Sequence, residues 1–155
     1  MKRFIAFFLA MLFTLSFSTT AFAYDTSLAN SYQISNTEYF SDGSYIITTL
    51  TESQMRSSKS GTKRQDFYSS SDVLQWRVVL NGTFTYNGTT SSCTSSSYSV
   101  TIYNNDWFKY SGNAYKSNNK AYVDVTMKRR GLLGIIVQTC NVNIQLACDK
   151  NGNLS

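Results

Sequence analysis

Three cysteines, nine acidic side chains and a cluster of aromatics are the residues of this chain that could do chemistry. A cysteine nucleophile needs a base beside it, and the chain has no histidine. That removes Cys-His and Ser-His-Asp arrangements, His-based general acid/base catalysis and most zinc sites. The aspartates Asp42, Asp66, Asp72, Asp106 and Asp124 are scattered, without calcium-loop spacing. Nothing singles out a carboxylate pair of the kind glycosidases use. The chain therefore reads as a non-enzyme, with no catalytic residue, metal ligand or cofactor expected.

The cysteines are better suited to cross-linking. Cys140 and Cys148 share one face of a single predicted strand. They are some 26 Å apart at about 3.3 Å per residue, whereas bridged Cα atoms lie within roughly 7 Å. Any disulfide must then include Cys93. Cys148 is the preferred partner, because it lies near a strand end that the Ser-rich segment around Cys93 can reach. Cys140 stays open as the alternative, and if unpaired it behaves as a small core hydrophobe.

Trp107, Tyr110 and Tyr115 could form an aromatic platform for sugar rings or peptides, with Phe108 beside them and Asn113, Asn118 and Asn119 as hydrogen-bond donors. The plainer reading, which the sequence favours, is that Trp107 and Phe108 cover one end of the core. Lys128-Arg129-Arg130 is the one dense basic cluster and reads as a solvated hairpin tip; attraction to an anionic wall or lipid is the competing reading. An exported chain with no larger basic stripe is not expected to bind nucleic acid.

Positioning these residues requires a framework, and alternation supplies it. From Leu74 to Tyr86 the even positions are Leu, Trp, Val, Leu, Gly, Phe and Tyr, while the odd positions are mostly polar. Side chains on a strand alternate faces, so the segment is a long strand with one buried side. Ile136, Cys140, Val142, Ile144, Leu146 and Cys148 form a second such row, and the two are expected to share one core. Asp42-Gly43 and Asn87-Gly88 mark hairpins. The chain has no proline, so its turns must come from Gly, Asn, Asp and Ser. Further strands are expected at Thr37–Phe40, Tyr45–Leu50, Lys63–Tyr68, Tyr98–Tyr103 and Ala121–Met127. Ser53–Thr62 reads as a loop, Asn104–Asn119 as a short strand or long loop, and Asp149–Ser155 as a polar tail. Tyr98, Val100 and Ile102 face inward, so Cys93 reaches the core only through a bulge or loop in the Ser run.

The resulting fold class is all-β: an antiparallel β-sandwich of about seven strands, immunoglobulin-like in layout only, because Trp76 precedes both candidate cysteines. Residues 1–23 read as a signal-peptide helix. Lys2 and Arg3 form its positive region, Phe4 to Phe17 its apolar region, and Ala21-Phe22-Ala23 its cleavage site. Residues 24–36 read as a polar N-terminal arm and 37–155 as a single domain. No membrane span is expected after cleavage. The whole chain carries a formal charge of +5, and losing Lys2 and Arg3 lowers it by two, leaving a mildly basic domain.

The runs EYFSDGSYIITTL, NGTFTYNGTTSSC, SGNAYKSNNKAY and LACDKNGNLS resemble a family of small, uncharacterised exported proteins of Gram-positive bacteria. The resemblance implies a β-rich extracellular domain in which the cysteines matching Cys93 and Cys148 are the recurring pair; Cys140 departs from that pattern. It implies no activity. The expected role is interaction outside the cell or at its surface, with a cell-wall glycan or surface protein as partner. A carbohydrate-binding module working through Trp107, Tyr110 and Tyr115 is the alternative, and a bacteriocin-like toxin is a third.

Overall fold

The computed structural model describes residues 33–54 and 58–155. The signal peptide and most of the N-terminal arm lie outside the described residues. Eight strands follow one another: β1 (Gln33–Tyr39), β2 (Tyr45–Gln54), β3 (Ser58–Tyr68), β4 (Leu74–Tyr86), β5 (Ser91–Ile102), β6 (Trp107–Ser117), β7 (Lys120–Arg130) and β8 (Ile136–Ala147). They form two antiparallel sheets, a five-stranded one in the order β1-β2-β3-β4-β5 and a three-stranded one in the order β6-β7-β8. The antiparallel sandwich is as expected, with eight strands where about seven were counted. Strand order follows the chain within each sheet, without the Greek-key crossings of immunoglobulin domains. The likeness to that fold lies in layering alone.

The β4 alternation works as the spacing predicts. Trp76, Val78, Leu80 and Phe84 are fully buried. Val123, Val125 and Met127 of β7 and Val142, Ile144 and Leu146 of β8 close the core from the other sheet. Each large apolar side chain so buried contributes on the order of 1.5–3 kcal/mol. The aromatic end of this core is a stack of Phe67 on Trp76 (centroids 5.1 Å apart, 12° between planes), with Trp107 meeting Trp76 edge-on at 6.0 Å and 68°.

Gln75, which alternation places on the outer polar row, is buried and fastens the crossover between sheets. Its backbone carbonyl accepts from Tyr103 N at 2.9 Å and Asn104 N at 3.2 Å. Its side-chain carbonyl accepts from Asn104 Nδ2 at 2.7 Å, and its amide donates to the Val73 carbonyl at 2.8 Å. A buried amide with these partners avoids the cost of lost hydration.

Several boundaries differ from the expectation. Strand β1 begins at Gln33, so Gln33–Asn36 belong to the sheet and not to the arm. The expected Ser53–Thr62 loop is largely strand: β2 runs to Gln54 and β3 starts at Ser58. Asn104–Asn119 holds the full eleven-residue β6. The expected polar tail folds back. Asp149 Oδ1 accepts the backbone N–H groups of Asn151 and Asn153, both at 2.8 Å, and Ala147 and Ser155 exchange backbone hydrogen bonds at 2.9 and 3.0 Å. Leu154 is thereby buried in the core.

Candidate interaction surfaces

The strand connections divide the sandwich into two ends. One end carries the β4–β5 and β6–β7 connections and the closing turn, and it holds two cysteines. Strand β5 contains a bulge at Thr94: Thr83 pairs with Ser95, while Phe84 pairs with Cys93. The extra residue turns Cys93 inward, as the expected bulge requires, and Cys93 is buried. Cys93 N donates to the Asn118 carbonyl at 2.8 Å, and Cys148 N donates to the Asn119 carbonyl at 3.0 Å. Two adjacent turn residues thus gather Cys93 and Cys148 from opposite sheets. All three cysteines are free thiols in this structure. Cys140 lies elsewhere, pairing with Met127 and lining a cavity with Phe40 and Asp42. Burial pushes the Cys140 thiol up to about 11, with the Asp42 charge adding to it.

The aromatic platform is not assembled. Trp107 is 3% exposed, because β6 pairs with β7 in a register that turns it onto Trp76 and Phe67. The plainer reading of Trp107 holds, and it is corrected from a ligand-binding candidate to a core residue. Tyr110 sits at the bulge of β6 with Lys128 Nζ 3.4 Å from its ring centre. Tyr115 stacks on Tyr122 at 4.9 Å and 9°. Both tyrosines are exposed, yet five residues of strand put them roughly 16 Å apart.

The scattered carboxylates have separate partners. Arg77 donates to both oxygens of buried Asp66, Nε at 2.6 Å and Nη2 at 2.9 Å. Arg64 Nε lies 3.1 Å from Asp66 but makes no aligned hydrogen bond, so it contributes as a charge only. Asp42 accepts from Ser44 N and Oγ, Asp72 from Tyr45 Oη, and Asp124 from Asn143 Nδ2. Among the described residues no three cysteine or carboxylate side chains come together.

A cleft of about 490 Å³ opens where β1 and β2 overhang the free edge of β8; Asn36, Thr48, Lys63, Gln65, Asn143 and Gln145 are among its walls. Lys63 has no ion-pair partner among the described residues, and burial lowers its pKa. The cleft is mixed in chemistry: Leu50 and Ile144 line it beside one cation, amides and hydroxyls.

The opposite end is different in kind. It carries the β1–β2, β3–β4, β5–β6 and β7–β8 connections, and it gathers exposed apolar side chains. Tyr39 and Phe40 come from the first connection, Val73 from the second, and Ile102 and Tyr103 from the third. The fourth supplies Leu132, Leu133, Ile135, Ile136 and Val137, with Leu132 at 92% and Leu133 at 96% exposure. Tyr110 lies close by at the β6 bulge. Among the described residues only Tyr115 is a large exposed apolar side chain away from this end. Ile136 was expected on the inner row of β8; at 42% exposure it has passed the edge of the core.

The β7–β8 tip is held in place. Arg130 N donates to the Asp106 carbonyl at 2.8 Å, Gly131 N to the Ile135 carbonyl at 2.8 Å, and Gly134 N to the Gly131 carbonyl at 3.2 Å. Leu133 has φ +62°, a left-handed conformation that costs a side-chain-bearing residue roughly 1–2 kcal/mol. Arg130 lies over Phe108 at 4.3 Å, and Arg129 is 3.9 Å from Asp106. No protein-family model, curated protein or solved structure matches this chain.

Proposed function

We propose that this chain is an exported, non-enzymatic β-domain with an extracellular or cell-surface interaction role, and that the end carrying the β7–β8 tip is its contact surface. The observation that supports this reading is segregation. Exposed apolar side chains at or beside four separate connections lie at one end, and apolar surface left exposed in one region marks interaction sites. The local backbone strain at Leu133 fits the same reading, since such strain concentrates where a side chain must be presented.

The test compares the exported chain with a Leu132→Ser/Leu133→Ser variant for retention on washed Gram-positive cells. The wild type should be retained and the variant released, with both folding alike because both positions are exposed. Equal retention would remove the tip from the contact surface. Hydrolytic turnover by the purified chain on a broad substrate panel would overturn the non-enzymatic reading.

A further inference from the structure

We propose that the β7–β8 end docks on an anionic lipid bilayer, inserting Leu132, Leu133 and Ile135 at the boundary between headgroups and acyl chains. The proposal rests on the preceding reading of this end as the contact surface and names its partner.

Shape is the first argument. The three side chains are 92%, 96% and 62% exposed on the β7–β8 turn. A protein partner would need a matching hollow, whereas a bilayer accommodates a protrusion of any outline. The hydrogen bonds across Gly131–Ile135 keep these residues projected before contact, so little ordering accompanies insertion.

Charge is the second. Lys128, Arg129 and Arg130 immediately precede the tip; Asp106 lies 3.9 Å from Arg129, and Asp42 lines a cavity with Arg129. Asp42 and Asp72, which accept hydrogen bonds from Ser44 and Tyr45, lie on the neighbouring sheet's turns, whereas the three cations adjoin the apolar tip directly in sequence. An apolar point behind a basic collar matches the two components of interfacial binding, apolar burial and attraction to anionic lipid. A two-fold contact between copies through this tip would instead bring two basic collars together. Tyr110, exposed and with Lys128 Nζ 3.4 Å from its ring centre, adds an aromatic beside the basic cluster. Tyrosine, with an apolar body and a polar hydroxyl, is enriched at membrane–water interfaces.

Co-sedimentation of the exported chain with phosphatidylglycerol and with phosphatidylcholine vesicles tests this. Binding should be at least about tenfold stronger on the anionic vesicles and should weaken at 1 M salt, where the screening length falls to about 3 Å. Leu132→Asp/Leu133→Asp should lower partitioning at least about tenfold. Arg129→Gln/Arg130→Gln should lower it about fivefold per charge removed. Thermal melts of both variants, altered only at exposed positions, confirm that the fold is kept. No binding to anionic vesicles, or binding that the aspartate variant leaves unchanged, overturns the proposal. A wild type that ignores vesicles but loses cell retention on tip substitution would keep the contact surface and reject lipid as its partner. Lipid-free dimerisation abolished by the aspartate variant would instead identify a second copy as the partner.

Discussion

The side chain of Leu154 occupies the space that a side chain on Gly61 would need. A Cβ built on Gly61 would overlap Leu154 Cδ1 and come within 3.3 Å of Leu146 Cδ2. The closing turn therefore seals the core against β3 only because position 61 is bare. Leu154→Ala should cost about 2–4 kcal/mol in urea denaturation. Gly61→Val, which overfills the same space, should cost about 1–3 kcal/mol. Wild-type midpoints for both would show that the turn is not docked in solution.

Asp149 holds that turn. Hydrogen bonds from the Asn153 side chain and backbone lower its pKa below the ordinary 3.8. A carboxylate whose folded pKa is depressed adds stability above its unfolded value and loses that contribution as pH falls through the folded pKa. The turn should therefore loosen below pH 3.8, visible as accelerated amide exchange at Asn151 and Asn153. Asp149→Asn should show the loosening already at pH 7.

Cys93 and Cys148 lie at the same end of the sandwich, each anchored by its backbone N–H to a neighbouring residue of the β6–β7 turn. Under oxidising conditions, with the electrons passing to a disulfide oxidant, they should form the one cross-link. It should be worth about 4 kcal/mol in the chain-entropy model. Non-reducing peptide mapping should recover that pair and leave Cys140 as a thiol. A Cys93–Cys140 peptide would contradict the placement. Native-state alkylation at pH 8 should spare Cys140, whose raised pKa keeps it protonated.

Asp66 sits between Arg64 and Arg77 at 2% exposure. Asp66→Ala should destabilise by about 1–3 kcal/mol, the discount reflecting how far solvent reaches the two guanidinium groups. Asp66→Asn should recover part of that loss by keeping a hydrogen bond to Arg77. Equal melting of all three proteins would make this cluster decorative.

Trp107→Ala should cost about 3–5 kcal/mol, whereas Tyr110→Ala and Tyr115→Ala, on exposed side chains, should stay within about 1 kcal/mol of wild type. Calorimetry on the three separates core from surface. A wild-type melt for Trp107→Ala would restore it as a ligand candidate.

Strand β4 was legible because its inner row is large and unbroken, and β7 and β8 likewise. The start of β3 was not. Its inward residues there are Lys59 and Gly61, which carry no apolar signal. Lys59 is tolerated inside by Glu52 at 2.6 Å, and Gly61 by Leu154, which arrives from the far end of the chain. The same holds for β6, whose inward positions include Gly112, left bare for the Tyr98 ring. Leu154 and Tyr98 are not local to the glycines they cover, so no short window of sequence could show why Gly61 and Gly112 sit on inward strand positions.

Alternation by itself determined the all-β class, the inner rows of β4, β7 and β8, and the need for a bulge beside Cys93, because side-chain direction along a strand is a local property. Only the tertiary structure decided where each row stops being covered. The basic cluster Lys128–Arg130 was expected as a tip, but β7 runs through Arg130 and the turn follows it; Leu132 to Val137 reads as turn and strand on paper. Those residues are exposed because no side chain of the opposite sheet covers them, and coverage is a relation between sheets that no single strand encodes.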